Sequence, residues 1–233
     1  MAREAWIYDK IYEYKDYQAE AEQVRALAES LNPGAKTLLD VACGTGKHLQ
    51  HFRNWFEVEG LDLEASFLRA ARERNPGVRF HHANMSDFSL DKGFDLITCL
   101  FSAIGYLGGV IELRQAISTM ARHLNPGGVM ILEPWIFPEK WEDGHISLVQ
   151  VDEPGLKLVR MNVGHRQDKF SILHFHYLVA TPKGVKHVEE LHRLLLFSHQ
   201  EYLDAFEGAG LEARYHPESA TGRGYYIAKK NQL

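Results

Sequence analysis

Two cysteines, Cys43 and Cys99, are all that the 233 residues contain. Each sits in an apolar, strand-like run, so buried free thiols are expected and a disulfide framework is excluded. No apolar run approaches the ~20 residues that a membrane-spanning helix needs. Arg3, Glu4, Asp9 and Lys10 interrupt the first apolar residues, a pattern that does not fit a secretory signal, and a cytoplasmic location is expected. Excess positive charge is also missing. Lys and Arg number 26 against 31 Asp and Glu, a net charge of −5, which argues against nucleic acid as a partner. There is no internal repeat and no low-complexity linker. The 13 histidines come without cysteine or carboxylate at ligand spacing. His174 and His176 share a strand face, with His187 and His192 placed to lie near, but structural or solvent-facing roles are expected and no metal.

What is present reads as a single α/β domain over residues 1–233, with 45% hydrophobic and 24% charged residues. Strand-like runs at about 37–42, 56–61, 78–82 and 94–101 alternate with helical patterns at about 46–54, 65–74 and 110–123. A fifth strand, VMILEP, follows the turn Asn125-Pro126-Gly127-Gly128. This alternation predicts a doubly wound, mostly parallel sheet. The aromatic-rich stretch 5–14 and a helical pattern at about 16–31 make residues 1–35 a cover over it. After Pro134 the pattern changes to β-like runs separated by turns at 153–155, 167–169 and 182–184. Residues 140–197 therefore read as an antiparallel β insertion after strand five. The helix HQEYLDAFEGAGL and the strands LEARYH and YYIAKK return the chain to the main sheet, giving seven strands in all.

LLDVACGTGKHL, residues 38–49, is the most informative run. It reads as a buried strand, a glycine turn and a helix start, the arrangement with which open α/β sheets hold nucleotide-like ligands. Asp62, ending strand two in GLDLE with Leu63 beside it, can accept hydrogen bonds from both hydroxyls of a ribose. Asn84 and Met85, after strand three, fall where an adenine edge would lie. Its amide oxygen is an acceptor for the adenine amino group, and Met85 is an apolar contact. A dinucleotide site would carry a third glycine where Leu49 stands. Asp40 before the turn repels a pyrophosphate but suits an ammonium group, unless it caps the turn or pairs with Lys47. A ligand with an ammonium, a ribose, an adenine and no phosphate is S-adenosylmethionine.

These residues resemble class I S-adenosylmethionine-dependent methyltransferases over about 36–133 and the final strands. The resemblance implies that Asp40 and the backbone of Ala42, Cys43, Gly44, Thr45 and Gly46 hold the methionine part, Asp62 the ribose, and Asn84-Met85 the adenine. Close relatives usually carry Asp-Met there, so Asn84 keeps an acceptor without the charge. The Asn/Asp-Pro-Pro-aromatic motif of nucleic-acid amine methyltransferases is absent. LFSAIGYL, with Ser102 and Tyr106, stands instead as a small-molecule acceptor site.

YDKIY, KDY, EPWIFPE, HRLLLFSHQEYLDAF and TGRGYYI extend the similarity to the nucleotide-sugar N,N-dimethyltransferases of macrolide biosynthesis over nearly the whole chain. That resemblance implies two successive methyl transfers to the amine of a dTDP-3-amino-deoxy-sugar. It places Tyr17 and Leu100 near the cofactor and Tyr8 beside its methionine end, where the ring can favour a sulfonium cation. Tyr12, Trp135, the segment Asn162 to Arg166 with His165, and Arg223 fall where the sugar nucleotide lies. Arg223, between two glycines, suits a diphosphate. A Gly-basic-Gly segment of close relatives is missing before KDY, so a phosphate contact is either lost there or supplied by Lys15. Tyr106 stands where some members have His. With a reference pKa of about 10 a phenol orients an amine better than it deprotonates it, and the proton is expected to leave to water. A methyltransferase for another small amine or hydroxyl, and a non-catalytic S-adenosylmethionine-binding module, are the competing readings. The period-two strands of the insertion are compatible with a homodimer contact.

Overall fold

The computed structural model describes residues 4–231, so Arg3 of the opening stretch lies outside it. In chain order the elements are α1 (Ala5–Ile11), α2 (Tyr17–Leu31), β1 (Thr37–Val41), α3 (Leu49–Phe52), β2 (Glu57–Asp62), α4 (Ala65–Arg74), β3 (Arg79–His82), β4 (Phe94–Cys99), α5 (Val110–Arg122) and β5 (Leu124–Leu132). Then come β6 (Ile146–Glu153), β7 (Leu156–Gln167), β8 (Phe170–Thr181), β9 (Gly184–Leu195), α6 (His199–Gly208), β10 (Glu212–His216) and β11 (Tyr225–Lys229).

The expected seven-stranded sheet is there, in the order β10-β11-β5-β4-β1-β2-β3. The pairs β1–β2, β1–β4, β2–β3 and β4–β5 are parallel, and β11 runs antiparallel to β5. Helices cover both faces, so the central strands are buried on both sides. Leu38, Leu39, Leu96, Ile97, Met130 and Ile131 are wholly buried. Strand order reverses at β1, which opens a crevice beyond the carboxyl ends of β1 and β4.

Three boundaries differ from expectation, each for a local reason. The helix after the glycine turn is only Leu49–Phe52, because Gly44 and Gly46 take positive φ and hold the preceding residues in a turn. Strand four stops at Cys99 because Phe101 and Ser102 are left-handed, with φ 53° and 61°. Strand five begins at Leu124, before the Asn-Pro-Gly-Gly turn, because Leu124 already pairs with Phe94 and Gly127 N–H donates to Lys230 O.

The insertion is a separate antiparallel sheet, β6-β7-β8-β9. Its inner face presents Leu158, Phe175, Tyr177 and Val179, onto which α1 packs Ile7 and Ile11. The other side of α1 reaches the main sheet: Thr45 Oγ donates to Asp9 at 2.6 Å, and Arg74 bonds both Asp9 and the Thr45 carbonyl. Helix α1 thus spans the gap between the two sheets. Ile11→Ala is expected to cost about 2–4 kcal/mol of stability, as buried large-to-small changes do. Urea denaturation checks this; a loss below ~1 kcal/mol would mean that α1 is not docked.

Candidate active site

The turn after β1 is shaped by backbone rather than side chains. Ala42, Gly44 and Gly46 all have φ near +60° to +70°. A Cβ on Gly46 would lie 2.7 Å from Asn75 Nδ2, so this glycine is required by close packing of the turn on α4. Cys43 N–H donates to Leu61 O, and its thiol is buried. Asp62 is fixed by two backbone donors: Gly44 N–H to Oδ2 at 2.8 Å and Glu64 N–H to Oδ1 at 2.7 Å. Asp62 lines the cavity with Leu63, Asn84 and Met85. The Asn84 amide oxygen already accepts Ser86 N–H at 3.0 Å and Ser86 Oγ–H at 2.9 Å. Asn84 therefore shapes the turn after β3 as well as lining the cavity.

Beneath the turn a recess of about 30 Å³ is lined by Tyr8, Tyr17, Asp40, Ala42, Cys43, Thr45 and Leu100. Asp40 is buried, accepts Thr98 Oγ–H at 2.8 Å, and forms no ion pair with Lys47 among the described residues. Burial pushes its pKa up to about 6, against the opposing pull of His48 and the Thr98 hydrogen bond. The Tyr17 hydroxyl is buried with no hydrogen-bond partner among the described residues. A lone buried carboxylate that would rather be neutral, next to an orphaned hydroxyl, fits the charged amino-acid end of a ligand. Together with Asp62 and the glycine turn, these residues fit S-adenosylmethionine.

The main cavity, about 750 Å³, continues from Asp62, Asn84 and Leu100 to Tyr8, Tyr12, Ser102, Tyr106, Trp135, Asn162 and Arg223. Its walls come from α1, the end of β4, the end of β5 and the inner face of the β insertion. Buried Glu133 organises the seam. Its Oε2 accepts Phe101 N–H at 2.7 Å, and its Oε1 accepts from Thr221 and, at 3.2 Å, from Arg223 Nη1. Arg223 is thus half-committed to Glu133, with its guanidinium carbon 5.0 Å from the Trp135 ring. Trp135 Nε1–H donates to Ser171 Oγ, and Ser102 Oγ–H to the Pro134 carbonyl. Tyr8 packs between Tyr12 and Phe67, and burial holds its phenol well above the ordinary tyrosine range, so the hydroxyl stays protonated.

Behind Tyr106 lies a polar chain that sequence reasoning missed. The Tyr106 hydroxyl is 2.6 Å from His192 Nδ1, and His192 Nε2 is 3.0 Å from Glu190 Oε2. A carboxylate at Nε2 requires a proton there, which leaves Nδ1 to accept from the phenol. Arg160 was also missed. It is buried, donates from Nη1 to Tyr12 Oη at 2.8 Å, and has no ion-pair partner among the described residues. Alternation in LKLVRMNV carries the signal, since Arg160 shares its strand face with Leu158 and Asn162. His165 and Arg166 are not brought to the cavity. They sit exposed at the hairpin end, where Arg166 Nε–H donates to Asp168 O. Lys15 does not reach it either: its ammonium is buried 2.8 Å from Glu20 Oε1. The histidines 174, 176 and 187 gather on the opposite face of the insertion.

As the partner of a ligand ammonium, Asp40 predicts a pH-dependent cofactor affinity. Its raised pKa means that the free protein holds a proton there below about pH 6, and an ammonium is attracted only to the ionised form. S-adenosylmethionine affinity should fall as pH drops from 7 through 6, approaching tenfold per unit, with proton release on binding. Calorimetry across pH 5–8 checks this; Asp40→Asn should bind weakly with no such slope, and an unchanged slope would contradict the assignment.

A family model described as a methyltransferase domain matches residues 38–128. The dTDP-3-amino-3,6-dideoxy-alpha-D-glucopyranose N,N-dimethyltransferase of Streptomyces fradiae is 42% identical over 226 residues, 95% of this chain and 89% of that one. The crystal structure of Streptomyces venezuelae DesVI superposes with a TM-score of 0.95 at 39% identity, covering 99% of both chains. CalS10 bound to S-adenosylmethionine, an amino pentose methyltransferase from Micromonospora echinaspora, superposes at 0.91 with 39% identity and 97% of both chains. By sequence, fold and cavity, this chain belongs to the dTDP-amino-sugar N,N-dimethyltransferase family of S-adenosylmethionine-dependent N-methyltransferases.

Proposed function

We propose that the protein transfers two methyl groups in succession to the amine of a dTDP-amino-deoxy-sugar. One observation carries the reading: a single cavity is lined by the ribose-type carboxylate Asp62 and by the acceptor-side Tyr106, Arg160 and Arg223. Two guanidiniums suit a diphosphate, whose charge and planar oxygen pairs match their donor forks. Arg160 is the stronger of the two, because Glu133 already neutralises part of Arg223. Tyr12 orients Arg160, and Trp135 offers a ring face for a sugar or base. Asp40, Tyr17, Leu100 and the backbone from Ala42 to Gly46 hold the methionine end of the cofactor.

Bound S-adenosylmethionine supplies an electrophilic methyl on a sulfonium. The protein's residues hold the amine in line and take its proton. Positioning of this kind is equivalent to effective molarities of roughly 10⁵–10⁸ M. The substrate ammonium gives a proton to the Tyr106 oxygen as the Tyr106 hydroxyl proton passes to His192 Nδ1, and Glu190 stabilises the imidazolium formed. This replaces direct loss to water, and it leaves the amine lone pair free. The ring of Tyr8, neutral at any working pH, lies where it favours a cation.

The remaining parts of the reading concern organisation. Residues 1–233 act as one methyltransferase domain, with 1–35 covering the cofactor and 140–197 supplying the acceptor side. No helix among the described residues is long and apolar enough to cross a membrane. Free buried Cys43 and Cys99 support a cytoplasmic site of action. Exposed Ile146, Leu148, Met161, Val163, Leu178 and Leu191 on the outer face of the β insertion support a homodimer formed through that face.

Incubation with S-adenosylmethionine and a dTDP-3-amino-deoxy-sugar should add one and then two methyl groups by mass. No gain with the cofactor still bound would reject this acceptor. Arg160→Ala should raise KM for the nucleotide sugar about tenfold or more with kcat little changed, and Arg223→Ala should do less. Unchanged KM in both would favour a phosphate-free amine. His192→Asn should lower kcat/KM on the order of 10²-fold near pH 7. The deficit should shrink as pH rises past about 8, where an α-amino-like amine loses its own proton. A pH-independent deficit would contradict proton transfer through Tyr106.

A further inference from the structure

The two faces of the β8–β9 hairpin carry different chemistry. The inner face holds Phe175, Tyr177, Glu190 and His192 against the cavity. On the outer face, alternation brings His174, His176 and Leu178 of β8 beside Leu191, Glu189 and His187 of β9, with His176 paired to Glu189 and Leu178 to His187. Sequence reading saw histidines without a carboxylate; strand pairing supplies one. His174 Nε2 lies 2.8 Å from Glu189 Oε2, His176 Nδ1 lies 3.2 Å from His187 Nε2, and His187 Nδ1 lies 3.6 Å from Glu189 Oε1.

We propose that His174, His176 and Glu189 form a binding site for a divalent transition metal of the zinc class, with His187 as its fourth partner. One ligand atom from each of the first three lies within 4.8 Å of the other two. Ligands about 2.0–2.1 Å from a tetrahedral zinc ion stand roughly 3.3 Å apart, so small side-chain rotations close the site. The His176–His187 separation already matches. Two ligands at i and i+2 of one strand and two from its neighbour are held by a regular hairpin rather than by a mobile loop. The nitrogen-rich set selects zinc, nickel or copper and disfavours magnesium and calcium, which take oxygen ligands. Leu148, Met161, Leu178 and Leu191 are exposed on the same outer face. The site lies on the opposite side of the sheet from the cavity and is independent of the methyl-transfer reading.

The test uses untagged, chelator-dialysed full-length protein and zinc alone, by calorimetry at pH 7.5. Saturable binding at one zinc per chain is expected. His176→Ala and Glu189→Gln should each weaken it about tenfold or more, since even outer-shell partners of a metal contribute 10–100-fold. Zinc should raise the melting temperature of the parent protein and not of His176→Ala. Magnesium should produce no heat of binding. His176→Ala should retain its melting temperature without zinc and its rate of methyl transfer, which shows that it folds. Zinc binding of equal strength in the parent and in His176→Ala would overturn the proposal, as would no saturable binding. Molar mass measured with and without zinc separates this site from the dimer reading, because a metal site on each chain survives in a protein that stays monomeric.

Discussion

Glu133 is the residue on which the geometry of the cavity depends. It is buried at the end of β5, and its two oxygens hold three things: the Phe101 amide, the Thr221 hydroxyl and the Arg223 guanidinium. The first matters most. Phe101 and Ser102 are consecutive left-handed residues, a conformation that costs roughly 1–2 kcal/mol per non-glycine residue. A hydrogen bond to a charged group contributes about 1.5–3 kcal/mol, which offsets much of that cost. The bend ends β4 early and sends Ser102 through Tyr106 across the mouth of the crevice. The same carboxylate fixes the 221–223 loop, so one buried charge connects β4, β5 and the approach to β11.

The second constraint is the bridge made by α1. Its Asp9 binds the glycine turn and Arg74 at the end of α4, while Ile7 and Ile11 bury themselves in the insertion. The helix carries Tyr8, and Tyr12 follows at its end, so both rings enter the cavity because the helix spans both layers. Cofactor-side and acceptor-side walls are thereby held at a fixed separation. Arg160 then gains its orientation from Tyr12. Methyl transfer asks for little chemistry from the protein beyond alignment and removal of a proton, and the architecture is organised for both.

Much of this was legible in the sequence. The βα alternation, the glycine turn, Asp62 at a strand end and the four strands of the insertion all follow from local periodicity and turn residues. What escaped depends on contacts distant in sequence. Period two shows that residues of β7 alternate, but not which face meets a cavity; Arg160 was passed over for His165 and Arg166, which the hairpin end carries outward. The same ambiguity hid His192 and Glu190 behind Tyr106, 86 residues away in the case of His192. The helix after the glycine turn was expected too long, since no periodicity signal reveals that Gly44 and Gly46 are both left-handed. Lys15 looked like a free cation until the fold placed Glu20 beside it.

The central claim is that one cavity aligns the cofactor and the amine, with Tyr106 at the amine. A crystal structure with S-adenosylhomocysteine and a dTDP-amino-deoxy-sugar bound together tests it most directly. The account predicts the sugar amine within hydrogen-bond distance of the Tyr106 hydroxyl, the ribose on Asp62, and the diphosphate against Arg160. A nucleotide bound outside this cavity, or an amine turned away from Tyr106 with His192 unconnected to it, would contradict the account.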